Sequence, residues 1–274
     1  MSVILEIQDG NPWYLSPDIW VVPGDDPNGP PGLPVAGQPA FIWARVHNNG
    51  STPVSNATVR FYWANPSVGF DRTTANLVGT SFVTLDPSDV QEVLCLTPWV
   101  PVFLNGGHEC VLAEAFSAED PLPAGAAFNV PSDRHVAQRN LSVVLAARGM
   151  FHFAFEVHNT GRTPGVFTIR PEIGEFATLK PLVPTLGKGI SLPAGRGEVQ
   201  KLGLVRNLCP SENEMQNAKP EERIELPGNA RGGLAVVGRL TSEAALIHVR
   251  QWAGEREVGG LSVLVLHDGQ KGRK

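Results

Sequence analysis

The octapeptide VHNNGSTP at positions 46 to 53 returns as VHNTGRTP at 157 to 164, and this repeat constrains the fold more than any other feature of the chain. Aligning FIWARVHNNGSTPVSNATVRFYW (41 to 63) with FHFAFEVHNTGRTPGVFTIRPEI (151 to 173) matches the V-H-N-x-G-x-T-P core. After a one-residue gap it also matches Val59 and Arg60 with Ile169 and Arg170. In both copies an alternating segment of β-branched and aromatic residues runs into Asn-x-Gly and a second such segment leaves it, which is how a hairpin or a sheet-crossing corner is written. Asparagine and glycine tolerate positive φ and the proline ends the turn, so the repeat is read as backbone geometry. His47 and His158 within it are read as structural. No carboxylate or second histidine follows either at metal-ligand spacing, and an imidazole at a strand end can satisfy a nearby carbonyl.

The repeat divides 274 residues into two units of ordinary domain size. The expected fold class is all-β, two tandem immunoglobulin-like antiparallel β-sandwiches over 1–146 and 147–274. Short alternating segments separated by Gly, Pro, Asn and Asp carry this expectation, and 29 glycines and 24 prolines without any low-complexity tract agree with it. Alternation in AFIWARV places Ile42, Ala44 and Val46 on one face and Phe41, Trp43 and Arg45 on the other; Ile42 and Val46 are expected in the core, with Trp43 partly at the surface. Helix is expected only as a turn or two within 210 to 226, where Pro220 interrupts it.

A formal net charge of −5 with no dense Lys/Arg block argues against nucleic acid as a partner. No apolar run approaches the ~18 residues of a membrane-spanning helix. MSVILEIQDG has no basic region ahead of its apolar run, so it does not read as a secretory signal; cytoplasmic synthesis is expected, with export by a signal-independent route left open. Three cysteines cannot make a disulfide framework. Cys95 and Cys110 are read as buried thiols, with a disulfide between them as the alternative in an oxidising compartment; Cys209 falls in a polar loop.

The ordered set SPDIWV (16 to 21), RVHNNGSTPVSNATVRFYWANPS (45 to 67), Trp99, GHECVLAEAFSAEDP (107 to 121) and DRHVAQRNLSVV (133 to 144) resembles the cell-adhesion-related domain found in bacteria, an immunoglobulin-like module of secreted and surface proteins. The resemblance spans residues 11 to 145, and the second half keeps only the turn. It implies a sandwich that carries no catalysis and serves as spacer, adhesion unit or docking surface.

Nucleophile elbow, zinc-binding H-E-x-x-H helix, phosphate loop, dinucleotide fingerprint and paired Cys-x-x-Cys are all absent from the sequence. No cofactor or catalytic residue is therefore expected. His108, Glu109 and Cys110 sit together, but on a strand only two of them converge, so a packed strand is the expectation. Asp25, Asp26 and Asn28 form an oxygen-rich loop that is a weak calcium candidate without EF-hand spacing. Asn49 and Asn56 begin N-x-S/T sequons. The stretch 207–228 lacks sheet periodicity and is the best contact-surface candidate, through Glu212, Glu214, Lys219, Glu221, Glu222 and Arg223. The expected function is non-catalytic binding of another protein, as an adaptor or as part of a bacterial secretion, toxin or surface assembly. Two alternatives remain: a carbohydrate- or cell-surface-binding module that stacks sugars on Trp13, Trp20, Trp63 or Trp99, and a cryptic hydrolase.

Overall fold

A computed structural model describes residues 2–64, 71–73, 75–101, 110–125, 127–128, 130–187 and 192–267. It is all-β, with strands β1 (Leu5–Glu6), β2 (Ile19–Pro23), β3 (Ala40–Asn48), β4 (Val54–Ala64), β5 (Asn76–Leu85), β6 (Val90–Leu94), β7 (Cys110–Phe116) and β8 (Val136–Arg139) in the first half. The second half follows with β9 (Leu141–Ala146), β10 (Met150–His158), β11 (Gly165–Gly174), β12 (Val199–Val205), β13 (Glu222–Leu226), β14 (Arg231–Leu240), β15 (Ala244–Ala253) and β16 (Arg256–His267). No helix among the described residues is long and apolar enough to cross a membrane.

In the first half one sheet has β3 at its centre, paired with β6 and with β1 and β2, while the other runs β5-β4-β7-β8. Their inward side chains, among them Ile42, Val46, Val59, Phe61 and Ala113, form one core between them. Ile42, Ala44 and Val46 are fully buried and Trp43 is half-buried, as the alternation requires. Sheets β12-β14-β10 and β13-β11-β15-β16-β9 enclose a second core that includes Phe153, Phe155, Ile169, Val236 and Val263.

The repeated turn is a crossing corner rather than a hairpin. It carries the chain from β3 to β4 in one half and from β10 to β11 in the other, each time from one sheet to the facing sheet. Later pairings keep the same sequence: β11 is flanked by β13 and β15 as β4 is by β5 and β7, and β14 returns to pair β10 as β6 returns to β3. Neither corner uses the positive φ expected of it. The reason lies in side chains. Asn48 Nδ2 donates to the carbonyls of Thr52 (2.9 Å) and Asp86 (3.1 Å), and its Oδ1 accepts from Gly50 N–H (3.0 Å). Asn159 Nδ2 donates to Thr163 (2.8 Å), Leu226 (3.1 Å) and Pro227 (3.0 Å) carbonyls, and its Oδ1 accepts from Gly161 N–H (3.0 Å). Gly50 is required because a Cβ there would strike the Ser2 carbonyl.

The two halves meet through shared contacts. Leu141–Ala146, which the sequence reading assigns to the first unit, pairs in parallel with β16, the one parallel ladder among the described strands. Tyr14 and Leu15 pack with Phe176, Leu179 and Leu182 of a 3-10 segment, Phe176–Thr185, against the face of the second half's larger sheet. That segment contains Pro181 and Pro184, which hide it from a helix reading.

Candidate functional site

Asp25, Asp26 and Asn28 are exposed, and Asp26 Oδ1 is used to hold its own turn by accepting Asn28 N–H at 2.9 Å. No group of three His, Cys, Asp or Glu side chains that could hold a metal ion occurs among the described residues. His108 and Glu109 lie outside those residues; Cys110 is buried, and Cys95, Cys110 and Cys209 are all free thiols. His47 Nε2 lies 2.7 Å from the buried Asp18 carboxylate, and His158 is buried.

The stretch 207–228 is not irregular throughout. It holds a short helix, α1 (Glu212–Gln216), and then β13, which pairs with β11. Its charged residues are largely turned on each other. Ser211 and Glu214 form a reciprocal capping box at the start of α1, with Glu212 in the first turn. Glu221 pairs with Arg170 at 2.9 Å, and the buried Glu222 carboxylate takes Lys219 at 3.2 Å and Arg206 through Nε at 2.6 Å. Burial drives the Glu222 carboxyl up, but Arg206 and Lys219 outweigh it and leave it below its ordinary value. Arg223 is exposed beside them on the edge strand.

The tryptophans do not offer open sugar platforms. Trp20 and Trp99 are buried; Trp13, Trp43, Trp63 and Trp252 are half-buried. Trp20 stacks on Trp43 with ring centres 5.9 Å apart, and Trp13 Nε1 donates to Glu257 at 3.0 Å. A serine and a histidine do come within reach, Ser262 Oγ and His248 Nδ1 at 2.7 Å. Both are buried, and the Tyr14 ring lies edge-on to the imidazole with centres 6.2 Å apart, so no substrate reaches that pair.

One edge strand of the first half turns large apolar side chains to solvent. β5, NLVGTSFVTL, carries no charge and no proline over ten residues, and among the described residues it pairs with β4 alone. Phe82 is 66% exposed, Leu77 57% and, just beyond β6, Leu96 75%. Cross-strand register aligns Phe82, Thr58 and Phe116 in one row over β5, β4 and β7, and the Arg60 guanidinium lies 4.7 Å over the Phe116 ring. The other end of this sheet face is closed. Buried Glu114 accepts from Tyr62 Oη (2.6 Å) and Arg72 Nε (2.8 Å), and Phe128 packs on Tyr62. β13 holds the equivalent position in the second half, yet it has five residues and reads ERIEL. Charge and shortness are how natural edges resist pairing; β13 has both protections and β5 has neither.

No family profile and no curated protein sequence matches the chain. Among solved structures it is similar to the CARDB domain of a Pyrococcus furiosus protein in complex with di-metal ions, at 17% identity over 50% of this chain and 85% of that one, with a TM-score of 0.28. The solution structure of the same CARDB domain gives 18% identity, coverage of 44% and 90%, and a TM-score of 0.27. The CupB6 tip adhesin of Pseudomonas aeruginosa is aligned over 97% of this chain and 98% of its own at 9% identity, with a TM-score of 0.22. At these identities and scores no residue role passes from any of the three to this chain.

Proposed function

We propose that the chain is a non-catalytic protein-binding adaptor made of two tandem immunoglobulin-like sandwiches, with the crossover between them at Asn140. Its partner is an extended segment of another protein that adds a strand to β5 and seats an apolar side chain against Phe82. The observation that carries this is the contrast between two equivalent edges: β13 is short and charged, whereas β5 is ten residues long, uncharged and apolar at its surface. The polar chemistry of the chain supports the same reading, because Asn48, Asn159, Glu114, Glu222 and His248 are all engaged in holding the fold. Motifs at 16 to 144 that resemble a bacterial adhesion-related module support membership of a secretion, toxin or surface assembly.

The test uses the full chain as bait for proteins of its own cell, with cross-links mapped by mass spectrometry. One stoichiometric partner cross-linked beside β5, and lost with Phe82→Lys, is the expected result. Cross-links that avoid β5, or a partner retained by Phe82→Lys, would remove the edge from the mechanism. Binding on a glycan array with no protein partner would favour the carbohydrate reading instead.

A further inference from the structure

Arg139, at the end of β8, is 8% exposed, and among the described residues no carboxylate pairs with it. Its Nη1 donates to the Ile19 carbonyl at 2.9 Å and to Thr185 Oγ1 at 2.6 Å, and its Nη2 to the Thr185 carbonyl at 3.3 Å. These bonds take three of the five guanidinium N–H groups. Burial, with no opposing charge, lowers its pKa to about 10, so at neutral pH the group keeps its charge. A buried charge without a counterion is costly, and neutral acceptors offset that cost only in part.

Beside the guanidinium is a cavity of about 30 Å³ lined by Val21, Leu33, Pro34, Trp99, Val111 and Leu141 together with Arg139 and Gly32. Trp99 is 4% exposed, and its indole N–H is buried without an acceptor among the described residues. Among the described residues the polar side chains on this wall are Arg139 and Trp99, both pure donors. A water held there would have its own hydrogens to satisfy, and no lining side chain accepts them. An acceptor without hydrogens suits the site better.

We propose that this cavity binds a single halide ion, chloride in the cell, between the Arg139 guanidinium and the Trp99 indole N–H. The ion neutralises the buried cation at the place where Arg139 ties Ile19 of the first half to Thr185 of the second. Halide binding thereby stabilises the junction between the halves.

Crystals of the full chain soaked in sodium bromide, measured at the bromine edge, test occupancy. Thermal unfolding in sodium chloride against sodium gluconate at equal ionic strength tests the energetic effect. The expected results are an anomalous peak within contact of Arg139 and Trp99, and a melting temperature that rises with chloride or bromide but not with gluconate. Trp99→Phe keeps the ring and removes the donor, and it is expected to raise the half-saturating halide concentration about tenfold, in line with one hydrogen bond to a charged group. Arg139→Met is expected to abolish the halide response; should it fail to fold, Trp99→Phe still decides. A cavity that holds water alone in bromide, equal melting in chloride and gluconate, or an undiminished response in Trp99→Phe would overturn the proposal.

Discussion

Asn48 and Asn159 hold their respective corners by the same set of bonds, each side-chain amide donating to the threonine carbonyl four residues on and each side-chain carbonyl accepting the glycine N–H two residues on. Each amide also reaches the turn that follows the neighbouring edge strand, at Asp86 after β5 and at Leu226 and Pro227 after β13. The asparagine thus fastens the crossing between sheets to the next crossing back.

Removing either amide leaves several buried backbone groups unsatisfied at about 1–3 kcal/mol each, less whatever water recovers. Asn48→Ala and Asn159→Ala are each expected to cost about 3 kcal/mol by urea denaturation. Asn→Asp at either site should cost no less, because the carboxylate cannot donate to the carbonyls that the amide satisfies. An effect under about 0.5 kcal/mol would show that the staple is not what holds the corner.

The corner also shows how far the sequence could be read. The repeat and its flanking alternation marked a hairpin or a crossing between sheets without deciding which, and Ile42 and Val46 announced the buried face of β3 by period alone. The bonding role of Asn48 was not legible, since asparagine in a turn equally serves positive φ, and the partner at Asp86 is far away in sequence. β13 was missed because ERIEL alternates a buried acid with charged neighbours, and the buried Glu222 is tolerated only through Arg206 and Lys219. The open edge at β5 escaped notice for the opposite reason. NLVGTSFVTL reads as any strand, and only its place at the end of a sheet leaves Phe82 in solvent.

Tyr14 docks against β16 where Gly260 leaves room for its ring; a Cβ at Gly260 would overlap that ring. Tyr14 is fully buried, and burial holds its phenol above the ordinary range. Gly260→Ala is expected to cost about 3 kcal/mol through overpacking, and Tyr14→Leu in the same chain should recover part of that loss. Failure of the double variant to recover any stability would separate the clash from the tyrosine.

Cys209 is exposed, whereas Cys95 and Cys110 are buried, and burial raises both of their thiol pKa values. Reactivity follows access and thiolate fraction. Iodoacetamide applied to the native chain at pH 8 is therefore expected to label Cys209 alone, with Cys95 and Cys110 labelled only after denaturation. Intact mass measured without reductant should show three free thiols; a mass lower by two hydrogens would instead reveal the disulfide between Cys95 and Cys110.

His248 makes the stability of the second half depend on pH. Its ring is buried among the Tyr14 ring, Ser262 and Gly174; burial first, and the charge of Arg250 second, push its pKa down to about 4. In the unfolded chain the imidazole returns to about 6.5. As pH falls from 6.5 to 4 the unfolded state therefore takes up a proton that the folded state refuses. The contribution of this group is complete above pH 6.5 and declines by about 3 kcal/mol on the way to pH 4, at about 1.4 kcal/mol per pH unit. His248→Gln should flatten the dependence of stability on pH across that window relative to the parent chain, leaving the carboxylate contribution below pH 4 unchanged. The direct measurement is the ring-proton titration of His248 by NMR. A midpoint near 4 is expected, and one near 6.5 would mean that the site admits the charged imidazole and that the junction around Tyr14 is open to water.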